Sequence, residues 1–134
     1  MSQDPTESFY SVLNRMFESD GEIHALVESE GIYVSIHYDY ETESVVAYSK
    51  YGKLDSRKPL NGFWNYAQSL DVDIFRVFDT WLFFGEWDGS QMHIFDIYDV
   101  ENKYYLPQVA VEIFCDTYEF DYAEDKSYAN KNLY

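Results

Sequence analysis

Two pairs of strand-like runs constrain this chain more than any other feature. Ile32 to Tyr38 and Val45 to Tyr51 are rich in β-branched and aromatic residues and are joined by the polar segment Asp39 to Ser44. Thr80 to Trp87 and Met92 to Tyr98 flank Asp88-Gly89, a dipeptide suited to a tight reversal. Side chains of this kind fit a pleated, half-buried surface, and short polar connections between such runs impose antiparallel pairing. Each pair is a predicted hairpin. The expected fold class is α+β, an antiparallel sheet with flanking helices.

Helical patterns surround these runs. Over residues 4–18, Asp4 can cap, Pro5 suits the first helical position and Glu7 completes a capping-box-like start. Phe9, Val12, Leu13, Met16 and Phe17 then form one apolar stripe, and Asp20-Gly21 ends the segment. Pro59 to Leu70 reads as a loop running into a short helix that carries Phe63, Trp64, Ala67 and Leu70, and Pro107 opens a last helix through about Tyr118. The polar end is expected to be loosely held, with residues 121–134 as a tail. A length of 134 residues without repeat or linker fits one domain over 1–134.

Composition decides what kind of domain this is. Aromatic residues make up 20% of the chain, enough apolar material to order a compact fold despite a formal net charge of −16. That charge disfavours direct nucleic-acid binding, which draws affinity from cations that displace phosphate counterions, and it disfavours anionic membranes likewise. It also exceeds the roughly 2–8 units that suffice to keep a small domain soluble, which points to a protein partner with a basic surface. No apolar run approaches the ~20 residues of a membrane span, and the start MSQDPTESF lacks the features of a secretory leader, so a cytoplasmic protein is expected. Cys115, the only cysteine, suits a reducing compartment and reads as a small buried hydrophobe. The charge is uneven: eight acidic residues and no lysine or arginine lie between Met16 and Ser49, whereas Lys50, Lys53, Arg57 and Lys58 fall within nine positions. An acidic and a basic surface are expected to be distinct.

Four strings in order, VESEGIYVSI (27–36), AYSKYGKL (47–54), FFGEW (83–87) and HIFDIYD (93–99), resemble the nucleotidyltransferase domain of RNA ligases of the phage nick-sealing type. VEIFCDTYEF (111–120) is similar to the helix-and-exit segment that follows in that family, so the ligase-like part covers about 25–120. The resemblance implies an adenylyltransferase fold and a phage origin. It also implies that Glu28 stands where the family has the lysine that attacks the α-phosphate of ATP, with Glu30 before Gly31 in place of Asp or His. A carboxylate cannot form the lysyl-adenylate. Lys50 falls where the family has a basic residue near sugar and phosphate, Glu86 matches its motif glutamate, and Phe95 the aromatic that stacks on adenine. The family's later phosphate-binding lysines have no counterpart before Tyr134. Phosphoryl transfer depends on such cations, so the expectation is a truncated pseudoenzyme, with no catalytic residue and no cofactor.

Several functions follow as alternatives. The first is an inhibitor or acidic interaction module that imitates nucleic acid and occupies the basic groove of a host nucleic-acid-handling or defence protein, with Asp39, Glu41, Glu43, Glu28 and Glu30 as partner-binding residues. The second is a noncatalytic nucleotide or RNA-end sensor that retains Lys50, Glu86 and Phe95 as a vestigial pocket. A residual enzyme with another nucleophile is the third. Glu28, Glu30 and Glu86 together would suit magnesium, but isolated carboxylates on a solvated edge are the commoner arrangement, and no metal is expected. His24, His37 and His93 show neither ligand spacing nor a paired acid in the sequence. The tyrosines at 118, 122, 128 and 134 are candidates for interface anchors.

Overall fold

The computed structural model describes residues 32–49 and 52–123. The helix expected over 4–18 therefore lies outside the described residues, as do Glu28, Glu30, Lys50 and residues 124–134.

Both expected hairpins form. Strand β1 (Ile32–Asp39) pairs antiparallel with β2 (Ser44–Ser49), Ser35 opposite Tyr48 and Asp39 opposite Ser44. Asp39 organises the connection, because its Oδ2 accepts hydrogen bonds from Thr42 N at 3.3 Å and Thr42 Oγ1 at 2.8 Å. The end of the run expected to reach Tyr51 lies outside the described residues, and β3 (Gly52–Lys53) pairs antiparallel with the end of β2. In the second hairpin β4 (Trp81–Trp87) pairs with β5 (Met92–Asp99), and Asp88 closes the turn by accepting from Ser90 N at 2.8 Å and Gln91 N at 2.9 Å. The central contact joins β1 to β4, again antiparallel.

Two short strands finish the sheet on the far edge of β5. There β6 (Tyr104–Tyr105) pairs antiparallel with Tyr98 and Asp99, and β7 (Asp121–Tyr122) pairs parallel with His93 and Ile94. The order is β3-β2-β1-β4-β5-β6, with β7 beside β5, so the sheet is mostly rather than wholly antiparallel. The tail expected from residue 121 is thus corrected at its start. Asp121 and Tyr122 are held by the ladder and by the Tyr122 hydroxyl, which donates to Gln108 Oε1 at 2.6 Å.

The register slips between Phe84 and Gly85, where a β-bulge lets one extra β5 residue face β4. Gly85 is fixed by steric fit. A Cβ there would lie 2.8 Å from the His93 carbonyl oxygen and 2.8 Å from Met92 Cε.

Three helices are present among the described residues, all against one sheet face: α1 (Phe63–Gln68), α2 (Val72–Val77) and α3 (Gln108–Tyr118). The sequence reading located α1 and α3 but assigned no element between Leu70 and Thr80, where α2 lies. Its signal is local, because the Asp71 side chain caps the helix by accepting from Asp73 N, and Asp73 pairs with Arg76 one turn on. Phe63 and Ala67, Phe75, and Val111, Phe114 and Cys115 point inward from the three helices onto Val34, Ile36, Phe83, Ile94 and Ile97. Phe114 anchors α3 among the rings of Phe78, Trp81, Phe83, Tyr118 and Phe120 at centroid distances of 4.8–6.3 Å. Cys115 is buried in this core, as its composition suggested.

Candidate functional site

Strand alternation sends every second side chain to the opposite face, and none of the three helices contributes to the cluster there. That face is buried yet rich in polar groups. The pairing aligns them in rows: Tyr33 opposite Glu86, Glu86 opposite His93, and His93 beside Asp121; then Tyr48 opposite Ser35, Ser35 opposite Phe84, and Phe84 opposite Asp96. Phe95, the extra residue at the bulge, packs its ring on Tyr33 at 5.3 Å. Glu86 and Phe95, assigned to one vestigial pocket from the sequence, thus lie on one face with Tyr33 touching the row of each.

The groups of this face differ in how they are held. Asp96 Oδ1 accepts from Gln108 Nε2 at 3.0 Å, which ties the face to the start of α3. The buried Ser35 Oγ has no hydrogen-bond partner among the described residues. His37 stacks on Tyr48 at 5.5 Å, and burial pushes its pKa down to about 4, with Lys53 reinforcing and Asp39 opposing the shift. His37 is therefore neutral at physiological pH.

His93 has the opposite chemistry. Its Nε2 lies 2.6 Å from Asp88 Oδ2 and its Nδ1 meets Asp121 Oδ2, so both ring nitrogens face carboxylates and the doubly protonated ring satisfies both. Partial burial opposes the charge, but the bonds to Asp88 and Asp121 outweigh it and raise the pKa. The same contact, with the backbone N–H groups of Ser90 and Gln91, holds the Asp88 carboxyl far below its ordinary value. The sequence reading missed this pairing because Asp121 is 28 residues away and only the parallel β7 contact brings it in. With both nitrogens committed, His93 is a clasp between the turn, β5 and β7.

The remaining predicted site residues separate. Glu41 and Glu43 are exposed at the β1–β2 turn, whereas Asp39 is half-buried and committed to that turn. Tyr118 packs on Phe114 and Tyr122 bonds to Gln108, which makes both parts of the fold rather than free anchors. Lys53 is exposed on β3, and Arg57 and Lys58 are exposed on the loop between β3 and α1, where Arg57 leans on Asp55 at 3.6 Å. A second acidic surface escaped the sequence reading: Glu112, Asp116 and Glu119 are exposed along and just beyond α3. Their helical spacing was visible, but the buried face of α3 had to be known to show that they point outward.

No group of three or more histidine, cysteine or acidic side chains suited to a metal ion occurs among the described residues. No helix among them is long and apolar enough to cross a membrane. Compared with family models, curated proteins and solved structures, the chain matches none.

Proposed function

We propose that this chain is a noncatalytic interaction module whose acidic surface occupies the basic, nucleic-acid-binding surface of a partner protein, as an inhibitor that imitates nucleic acid. One observation carries this reading. Glu41, Glu43, Glu101, Glu112, Asp116 and Glu119 are exposed and form no ion pair among the described residues. Carboxylates fixed on a rigid fold without internal cations are available to lysines and arginines that otherwise meet phosphates. The RNA-ligase resemblance fits as the origin of a scaffold that has lost its lysine nucleophile at Glu28. It does not by itself carry the proposal.

A nucleotide sensor using Lys50, Glu86 and Phe95 is the competing reading. Phe95 is 0% and Glu86 6% exposed, so a base entering there would displace an already closed packing. The deciding experiment presents the immobilised chain with nucleic-acid-binding proteins that have basic grooves, and separately with labelled ATP and 5′-phosphorylated RNA. Retention of a basic-groove protein, weakened by salt and displaced by excess RNA, is the expected result. Screening over about 8–10 Å near physiological ionic strength accounts for the salt effect. Binding of ATP or RNA ends with no basic-groove protein retained favours the sensor instead.

A further inference from the structure

From the solvent face of α3 we infer a docking surface for a positively charged amphipathic helix of a partner protein. This rests on the acidic-module reading and assigns the contact to α3 rather than to the β1–β2 turn.

At 100° per residue, Val109, Glu112, Ile113 and Asp116 fall together on the side opposite Val111, Phe114 and Cys115. Val109 is 62% and Ile113 59% exposed, an apolar pair one turn apart that no described element covers. Glu112 and Asp116 flank it, and no lysine or arginine occurs between residues 104 and 123.

Three local choices here oppose the stability of the isolated helix. Glu112 and Asp116 are like charges four residues apart, which repel on a helix surface. Asp116 in the last turn and Glu119 at the C-cap sit at the negative end of the helix dipole, where a basic residue would be favoured and none is present. Two large aliphatic side chains face water beside them. A basic helix with an apolar stripe would relieve all three at once, its cations meeting the carboxylates and dipole end while its apolar residues cover Val109 and Ile113. Departures from local consistency of this kind collect at functional surfaces. The buried Cys115 thiol registers the same uncompensated field: burial first, then Asp116, Asp121 and Glu112, push its pKa up to about 12.

Charge selects the occupant. A second copy docking through this face would set Glu112 and Asp116 against themselves, and nucleic acid or an anionic bilayer would be repelled. The mount is rigid, since Phe114 locks α3 among core rings, so little ordering is needed on this side of the contact.

The test uses the full chain and a fluorescent amphipathic peptide with leucines on one face and lysines flanking them, beside a scrambled peptide of equal composition. Binding by anisotropy is expected for the amphipathic peptide, with affinity falling about tenfold or more in Glu112→Lys/Asp116→Lys and in Val109→Ser/Ile113→Ser. Lys58→Glu, a charge reversal on the exposed loop after β3 at the other edge of the sheet, should stay within about twofold, as distant exposed charges contribute weakly, while Glu41→Lys/Glu43→Lys in the turn tests the other acidic surface. Glu112→Lys/Asp116→Lys should also raise the melting temperature by about 2–5 °C, because it relieves repulsion and complements the dipole. A lower melting temperature would show that these carboxylates serve the fold and overturn the inference. Equal binding of the scrambled peptide would overturn it too. Loss of binding only in the turn variant, or no binding of either peptide while a basic-groove protein is still retained, removes α3 as the surface and leaves the acidic module standing; no binding of either peptide with no basic-groove protein retained removes both.

Discussion

The two faces of the sheet solve different problems with the same strands. The helix-covered face is built from Val34, Ile36, Phe83, Ile94 and Ile97 against inward aromatics of α1 to α3, and its cohesion is apolar burial. The opposite face buries Ser35, His37, Glu86 and Asp96 among Tyr33, Phe84, Phe95 and Tyr98. Buried polar groups gain little net stability even when bonded and are costly when a partner is removed. The first face therefore sets how strongly the domain folds, and the second sets how that stability responds to pH.

The sharpest test of this contrast is Phe114→Ala. It empties the centre of the aromatic cluster beneath α3 and should cost about 3–5 kcal/mol in urea unfolding. A loss under about 1 kcal/mol would mean that the helix-covered face is not the principal core.

On the polar face the largest effect is acid sensitivity through His37. Its folded-state pKa is depressed, so its contribution is fully present above the unfolded value of 6.5 and is lost as pH falls toward 4. The loss over that window is about 3 kcal/mol for one group. His37→Gln should flatten the difference between unfolding free energies at the two ends. An unchanged pH slope in that variant breaks the assignment.

Gly85→Ala probes the bulge between the two hairpin strands. The added Cβ meets the His93 carbonyl oxygen, which cannot move aside as the end of Met92 can, and a cost of about 1–3 kcal/mol is expected, read from the denaturation midpoint. A neutral result would show that β4 and β5 can part at the bulge without loss.

The smallest effect belongs to His93. Its pKa is raised, so the clasp is fully present below 6.5 and is lost as pH rises through the folded value; Asp88, held low, keeps its share until strongly acidic pH. His93→Asn should cost about 1–2 kcal/mol near pH 6, because the pairs are partly solvated. Hydrogen exchange should rise first at Asp121 and Tyr122. An NMR titration midpoint for His93 at or below 6.5 would remove the imidazolium clasp.

The two histidines show where sequence reading stops. Each stands in a strand-like run, and the run alone does not reveal its state. Burial on a sheet face lowers one, and the bonds to Asp88 across the turn and to Asp121, 28 residues away, raise the other. The glycine of FFGEW is similar: the string belongs to a ligase-like series, and the steric reason for its glycine is the close passage of β5. Asp39 looked like an exposed partner-binding acid, but Thr42 takes its oxygen.

By itself the sequence determined the α+β class, both hairpins, the positions of α1 and α3, and the net acidity. These follow from side-chain periodicity, turn residues and net charge, which are local or summed properties. Only the tertiary structure decided the order of strands, the parallel return of β7, the polar second face and the outward aim of the α3 carboxylates. Each depends on which distant segments share a face, and the free energy that selects that arrangement comes from burial and pairing between residues far apart in the chain.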